Sequence, residues 1–193
     1  MKKITDILTK EEIKFTKADL PMLIHGKEHS GASLLSITIA SLLHKAGNKL
    51  CIFTAYSMAK EEFLKQIINS DAVFYLEGEK DFEQALKFQT IVVQSGNTEL
   101  FLKLVSYSSF EKDRILFIKN IETINIPIFE IVKSYLLIVS GNLELNPLQR
   151  DFNDYAYNTK ILFSPLAGET IPSLEKYQAF LEKKLNGRTI ILS

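Results

Sequence analysis

The chain has a single cysteine, Cys51, set in an apolar run. No disulfide can close within it, and a metal site built on several thiolates is excluded, which suits a reducing, cytoplasmic setting. An excess of either charge is also missing, with 23 basic residues against 23 acidic ones. The broad basic surface of a typical nucleic-acid binder is therefore absent, leaving room only for a local patch. The first residues, Met1-Lys2-Lys3, run on into further charges without the apolar stretch that a secretory signal needs, so no export is expected. Long apolar runs are lacking too: Tyr135–Val139 is the most apolar stretch, far below the ~20 residues that span a bilayer. Neither an internal repeat nor a low-complexity linker is visible.

What is present is an ordinary globular composition, 46% apolar and 24% charged over 193 residues. That length predicts one domain over residues 1–193, with 1–19 as an N-terminal segment of short helix plus edge strand. Short β-rich runs alternate with helix-length amphipathic segments, the pattern of a mainly parallel sheet between two helical layers, an α/β three-layer sandwich. The predicted strands are Met22–His25, Leu50–Thr54, Ala72–Leu76, Thr90–Gln94, Ile115–Lys119, Tyr135–Ser140, Lys160–Ser164 and Thr189–Leu192. Several are apolar almost throughout, which means burial on both faces. Ala32–Lys45, closed by Gly47 and Asn48, reads as a long helix. Ser57–Ile68, Asp81–Phe88 and Thr98–Tyr107 read as shorter helices, Pro127–Lys133 as two turns at most, and Leu174–Leu185, ended by Gly187, as a further helix.

The chemistry concentrates after the first of these apolar strands. Met22-Leu23-Ile24-His25 is followed by Gly26-Lys27-Glu28-His29-Ser30-Gly31-Ala32-Ser33 and then by the long helix. Strand, glycine loop and helix in this order suit an anion, because glycines let successive backbone N–H groups curl round it and the helix adds its positive end. Gly26 and Gly31 have the G-x-x-x-x-G spacing. The full phosphate-binding pattern continues with lysine and then Ser or Thr. Here Ala32 stands in the lysine position and Ser33 keeps the hydroxyl.

On these residues the chain resembles the P-loop NTPases, in particular those of RecA-like build. The resemblance runs as an order of elements from about residue 20 onward, with its motif content in Gly26, Gly31 and Ser33. It implies a nucleotide site at Gly26, Lys27, His29, Ser30, Gly31, Ala32 and Ser33. It also implies a second motif, an apolar strand ending in an acid that holds magnesium. The best strand, Ile115-Leu116-Phe117-Ile118, ends instead in Lys119-Asn120, and Glu122 falls too late for a strand end unless the local geometry shifts. With both the Walker A and Walker B motifs degenerate, most of the electrostatics of phosphoryl transfer is gone.

Other resemblances are narrower. Lys27 stands where MinD- and ParA-like ATPases place a lysine that reaches across a dimer, although Ala32 departs from their pattern too. Ser140-Gly141-Asn142 lies where RecA-like ATPases often place a γ-phosphate sensor, and the same triplet is a good turn, the commoner use of such a sequence. Phe152–Phe163 and Ile171–Ala179 faintly resemble the C-terminal strands and proline–leucine segment of FtsK and HerA-type DNA-pumping ATPases.

The expectation is a pseudo-ATPase acting as a partner-binding or regulatory subunit, its partner a related ATPase or its own oligomer, with no catalytic or metal residues assigned. ATP with magnesium at low affinity is the ligand to test. The alternative is a weakly active ATPase that replaces the loop lysine with Lys27 or a partner's residue and uses Glu122 for water, or a DNA-associated motor component. Plainer readings stand beside these. Gly26–Ser33 also suits a ligand-free βα turn; His25, His29 and His44 lack metal-like spacing. Arg114, Arg150 and Arg188 suit a solvated surface better than an arginine finger. Tyr155, Tyr157 and Tyr177 suit packing on the sheet better than stacking on bases, and Glu111, Asp113 and Glu122 suit a charged rim.

Overall fold

The computed structural model describes residues 4–6, 9–27, 29–54, 70–165, 174, 178–183 and 186–192. Among these, ten strands form one sheet: β1 (Ile4–Asp6), β2 (Met22–His25), β3 (Leu50–Thr54), β4 (Val73–Tyr75), β5 (Thr90–Gln94), β6 (Ile115–Ile118), β7 (Leu136–Gly141), β8 (Thr159–Leu162), β9 (Gln178–Lys183) and β10 (Asn186–Leu192). The helices are α1 (Ala32–Lys45), α2 (Phe82–Ala85), α3 (Thr98–Val105) and α4 (Phe129–Val132), joined by short 3-10 turns. The expected helix Ser57–Ile68 lies outside the described residues.

The strand order is β1-β10-β9-β8-β2-β7-β6-β3-β5-β4. From β8 to β4 every pair is parallel, while β8-β9, β9-β10 and β10-β1 are antiparallel. The expected mainly parallel α/β sandwich is present, with an antiparallel extension on one side. Every residue of β2, β3 and β6 is buried, as their continuous apolar runs require of strands covered on both faces. One face packs Ile24, Ile52, Phe117 and Ile138 against Leu35, Ile39 and Leu43 of α1. The other packs Leu23, Phe53, Leu116 and Val139 against Phe82 of α2, Phe101 and Leu104 of α3 and Val132 of α4. Tyr155 and Tyr157 join this second layer edge-on to each other, in line with packing; Tyr177 lies outside the described residues.

Two expectations are corrected. The segment expected as the helix Leu174–Leu185 contains β9, paired with β8 on one side and β10 on the other. Burial alternates along it, with Ala179 and Leu181 inside and their neighbours only partly covered, so a period of two wins over the helical spacing read from its leucines. Gly187, taken as a helix cap, instead lies on β10 under the ring of Phe180. A Cβ there would come within 2.2 Å of Phe180 Cζ. Near the N-terminus β1 provides the expected edge strand, but Ile7 and Leu8, which carried the helical face, are outside the described residues. The helix expected over Asp81–Phe88 shortens to α2, a single turn.

The second correction concerns Arg114, expected on a solvated surface. Its side chain is fully buried at the amino ends of β3, β5 and β6. Its Nη1 donates to the carbonyls of Leu50, Phe88 and Gln89 at 3.1–3.2 Å, and its Nη2 to Leu86 O at 3.1 Å and Glu111 Oε2 at 2.8 Å. Glu111 also accepts from Lys49. Burial pulls the Glu111 carboxyl up, but Lys49 and Arg114 outweigh it and hold the group below its ordinary range. His44 Nδ1 meets Thr90 Oγ1 at 2.8 Å on the same edge, and burial, aided by Lys45, lowers its pKa. The guanidinium thus ties the segment before β5 to the start of β3, where Gln89 O also accepts from Leu50 N–H at 2.9 Å. Arg114→Met should lower unfolding stability by on the order of 3 kcal/mol in urea melts. Lys103→Met, which removes an exposed pair with Glu79 and Glu99, should leave the midpoint in place.

Candidate functional site

The loop after β2 is shaped by close approach. A Cβ on Gly26 would lie 2.5 Å from Ser30 Oγ and 3.0 Å from the Cβ atoms of Ala32 and Phe163, so only glycine fits there. Gly26 N–H donates to Gly141 O at 3.3 Å, tying the loop to the end of β7. His29 and Gly31 take positive φ, 62° and 101°, which curls the chain before α1. Ser30 N–H donates to Lys27 O at 3.2 Å, Ser30 Oγ accepts from Ala32 N–H at 3.3 Å, and Leu35 N–H donates to Gly31 O at 2.9 Å. Gly31 begins α1 with no side-chain cap, so the positive end of a 14-residue helix opens onto the loop.

A cavity of about 780 Å³ lies at this carboxyl edge. All seven residues expected at the site, Gly26, Lys27, His29, Ser30, Gly31, Ala32 and Ser33, line it. Its opposite wall is the ends of β6 and β7: Asn120, Glu122, Thr123, Ser140, Gly141 and Asn142, with Leu145 at the rim. Ser140-Gly141-Asn142 lines the cavity, and Asn142 Oδ1 accepts from Glu144 N–H at 3.2 Å to cap the next turn. Thr123 and Leu145 had no sequence signal; only the path of the chain brings them here.

Glu122 is not too late in the chain to reach the site. Asn120 adopts the left-handed conformation, φ 54° and ψ 50°, which non-glycine residues other than Asn rarely enter, and turns the chain back after β6. Glu122 Oε2 then accepts from Asn142 N–H at 3.0 Å, and Oε1 lies 3.5 Å from Asn120 Nδ2. Gly141, at φ 136°, leaves it the space: a Cβ there would sit 2.0 Å from Glu122 Oε2.

Lys119, in the place where the resemblance implies a metal-binding acid, is 2% exposed. Burial pushes its ammonium down to about 8, against an upward pull from Glu122. A divalent cation beside it would meet like-charge repulsion of about 4 kcal/mol per unit charge at 4 Å and an intermediate dielectric. The residues at the end of β6 do not fit magnesium. Among the described residues no group of three or more His, Cys, Asp or Glu side chains could hold a metal ion. Cys51 is fully buried, its thiol pushed up to about 12 by burial despite Arg114, and is chemically inert. Arg114 lies at the opposite edge and Arg150 is exposed on a 3-10 segment.

Two outcomes follow from this geometry. Gly141→Ala should destabilise the protein by on the order of 2 kcal/mol, from the positive φ and the collision with Glu122. Adding Glu122→Ala should return part of that loss in a double-mutant cycle, since it removes the nearer clash. Lys119 carries a folded pKa depressed below its unfolded value of about 10.5. It therefore contributes stability that is present above pH 10.5 and lost as the pH falls through about 8. Lys119→Met should accordingly be more stable than the parent at pH 7, by on the order of 3 kcal/mol, with the difference closing between pH 8 and 10.5 in urea titrations.

No family model matches the chain, and no curated protein matches it in sequence. Solved structures do match in shape. The genome packaging NTPase B204 of Sulfolobus turreted icosahedral virus 2, in complex with AMP, superposes with a TM-score of 0.61 at 14% identity over 89% of this chain and 96% of that one. The DNA-packaging ATPase B204 of Sulfolobus turreted icosahedral virus gives 0.60 at 15% identity, with the same coverage. EccC of Thermomonospora curvata (ATPases 2 and 3), in complex with a signal sequence peptide, gives 0.62 at 12% identity, covering all of this chain and 40% of that one. With its strand order, its βα loop and these likenesses taken together, the chain has the α/β fold of the P-loop NTPases.

Proposed function

We propose that this protein binds nucleotide in the cavity between the Gly26–Ser33 loop and the ends of β6 and β7, and that it is a pseudo-ATPase serving as a partner-binding or regulatory subunit. The cavity has the size of a small-molecule site, and its floor is a βα loop opening onto an uncapped helix. The observation that carries the loss of catalysis is the buried ammonium of Lys119 at the end of β6. Phosphoryl transfer depends on cations placed around the transferring group, above all the loop lysine and magnesium. Ala32 has no charge to offer, and Lys119 disfavours the metal. Nucleotide held this way acts as a structural ligand, stabilising one state of the surface that a partner reads.

Three exposed apolar side chains support a protein partner. Leu145 at the cavity rim is 68% exposed, Leu148 beside it 48%, and Ile131 40%. A related ATPase or a second copy of this chain is the class of partner proposed, in the cytoplasm, where the lone buried thiol is at home. Balanced charge argues against DNA as the main partner.

One observation favours the alternative of a weakly active ATPase. Glu122 lines the cavity and Lys27 is exposed at its mouth, so an acid and a cation are both within the site. Yet one carboxylate oxygen of Glu122 already accepts Asn142 N–H at 3.0 Å, so that oxygen is engaged away from an attacking water. The purified chain with ATP and magnesium should release phosphate no faster than its Gly31→Trp variant; turnover that this substitution abolishes would establish the hydrolase instead. Ala32→Lys should raise ATP affinity about tenfold by calorimetry, through a restored charge-assisted contact. No gain in affinity would mark Gly26–Ser33 as a turn without ligand.

A further inference from the structure

Across the cavity from the loop, hydrogen-bond donors are already committed within the wall itself. Asn142 N–H at the end of β7 donates to Glu122 Oε2 at 3.0 Å, and Asn120 Nδ2 lies 3.5 Å from Glu122 Oε1. Thr123 Oγ1 donates to Asn120 O at 2.8 Å. All four residues line the cavity. Asn120 Oδ1 is a further acceptor here, buried and without a hydrogen-bond partner. The loop wall has the opposite character, since the positive end of α1 opens onto it without a side-chain cap. A polyanion therefore meets donors on one side and engaged donors or bare acceptors on the other.

The backbone makes room for Glu122 in this wall. Asn120 turns the chain back through its left-handed conformation, and Gly141 leaves open the space beside Oε2, where a Cβ would lie 2.0 Å away. Gly141 O accepts Gly26 N–H from the loop at 3.3 Å, while Asn142 N–H, in the same peptide unit, goes to Glu122. One peptide group thus joins the loop to the carboxylate. Attraction to the buried Lys119 ammonium softens the charge that Glu122 shows the cavity, but its oxygen stays seated on Asn142 N–H.

We propose that Glu122 is a resident carboxylate in the place of a terminal phosphate, so that the site prefers a nucleoside diphosphate to the corresponding triphosphate. The proposal rests on the reading of the cavity as a nucleotide site and adds to it the length of phosphate chain it takes. Backbone N–H groups of a glycine loop cradle the α- and β-phosphates, whereas a third phosphate leans on the loop lysine. Ala32 stands in that lysine's position and offers no charge. From the facing wall a γ-phosphate gains Asn142 N–H only by displacing Glu122, and it meets like charge until it does. A diphosphate makes no such demand.

The test titrates ADP and ATP into the full chain by calorimetry, in EDTA and in millimolar magnesium, for the parent, Glu122→Ala, Glu122→Gln and Glu144→Gln. In EDTA the parent should bind ADP at least about fivefold more tightly than ATP. Glu122→Ala should raise ATP affinity by about tenfold, the worth of one charge-assisted contact, and change ADP affinity by less than about twofold. Glu122→Gln, which keeps an acceptor for Asn142 N–H but loses the charge, should give a smaller gain for ATP. Glu144 is exposed and does not line the cavity, so Glu144→Gln should alter neither affinity. Thermal melts establish that each variant is folded. A parent that binds ATP as tightly as ADP overturns this inference and leaves the nucleotide site in place. Weaker ATP binding by Glu122→Ala, with or without magnesium, does the same. No heat from either nucleotide with the parent or any variant removes both.

Discussion

The parallel pairing of β2 with β7 on one side and β8 on the other is the constraint on which the rest of the molecule depends. Parallel strands must all return over the faces of the sheet, so their carboxyl ends gather along one edge and their amino ends along the other. α1 leaves β2 at the carboxyl edge and leads the chain past β7 and β6 to β3. The crevice opens where the connections part in opposite directions, the place where open α/β sheets take their ligands. Loop, helix start and the polar ends of β6 and β7 meet there because the topology leaves them no other neighbour.

The two edges solve opposite problems. At the amino edge the guanidinium of Arg114 collects four main-chain carbonyls and the carboxylate of Glu111, while Gln89 reaches His44 O and Asn48 O. At the carboxyl edge Gly26 and Gly141 keep open the space that a Cβ would fill, and α1 begins without a side-chain cap. The packing is closed over polar groups at one end of the strands and leaves a cavity at the other. Lys119, at the end of β6, is buried and lowered in pKa by that burial, so it opposes folding at neutral pH.

How legible each part was depends on how local its cause is. The β2, loop and α1 unit could be read directly, because a buried strand, two glycines at fixed spacing and a long apolar helix closed by Gly47 are all written within about 30 residues. β9 was not legible. Leucine and phenylalanine near helical spacing, with proline before and glycine after, match a helix as well as a strand, and the arbiter is the pairing with β8 and β10. Arg114 likewise looks like any arginine at a strand start until the carbonyls of two other segments, Leu50 and Leu86–Gln89, converge on it. Glu122 falls late by counting along the chain, and the left-handed turn at Asn120 is the local shift that brings it to the cavity, which no spacing announces.

The sequence by itself determined the alternation of buried strands and helices, the glycine loop, and the absence of a lysine at Ala32 and of an acid after Ile118. These are properties of residue type and spacing, which do not depend on the neighbours a segment finds. The tertiary structure alone decided that Lys119 shares a row with Thr54 and Ser140, that Glu122 folds back over Gly141, and that the edge opposite the cavity is sealed by Arg114. Those facts follow from strand order and register, which bring residues 54, 119 and 140 side by side across more than 80 positions of chain. A charge acts through the distance to its neighbours in space, and no count along one chain contains that distance.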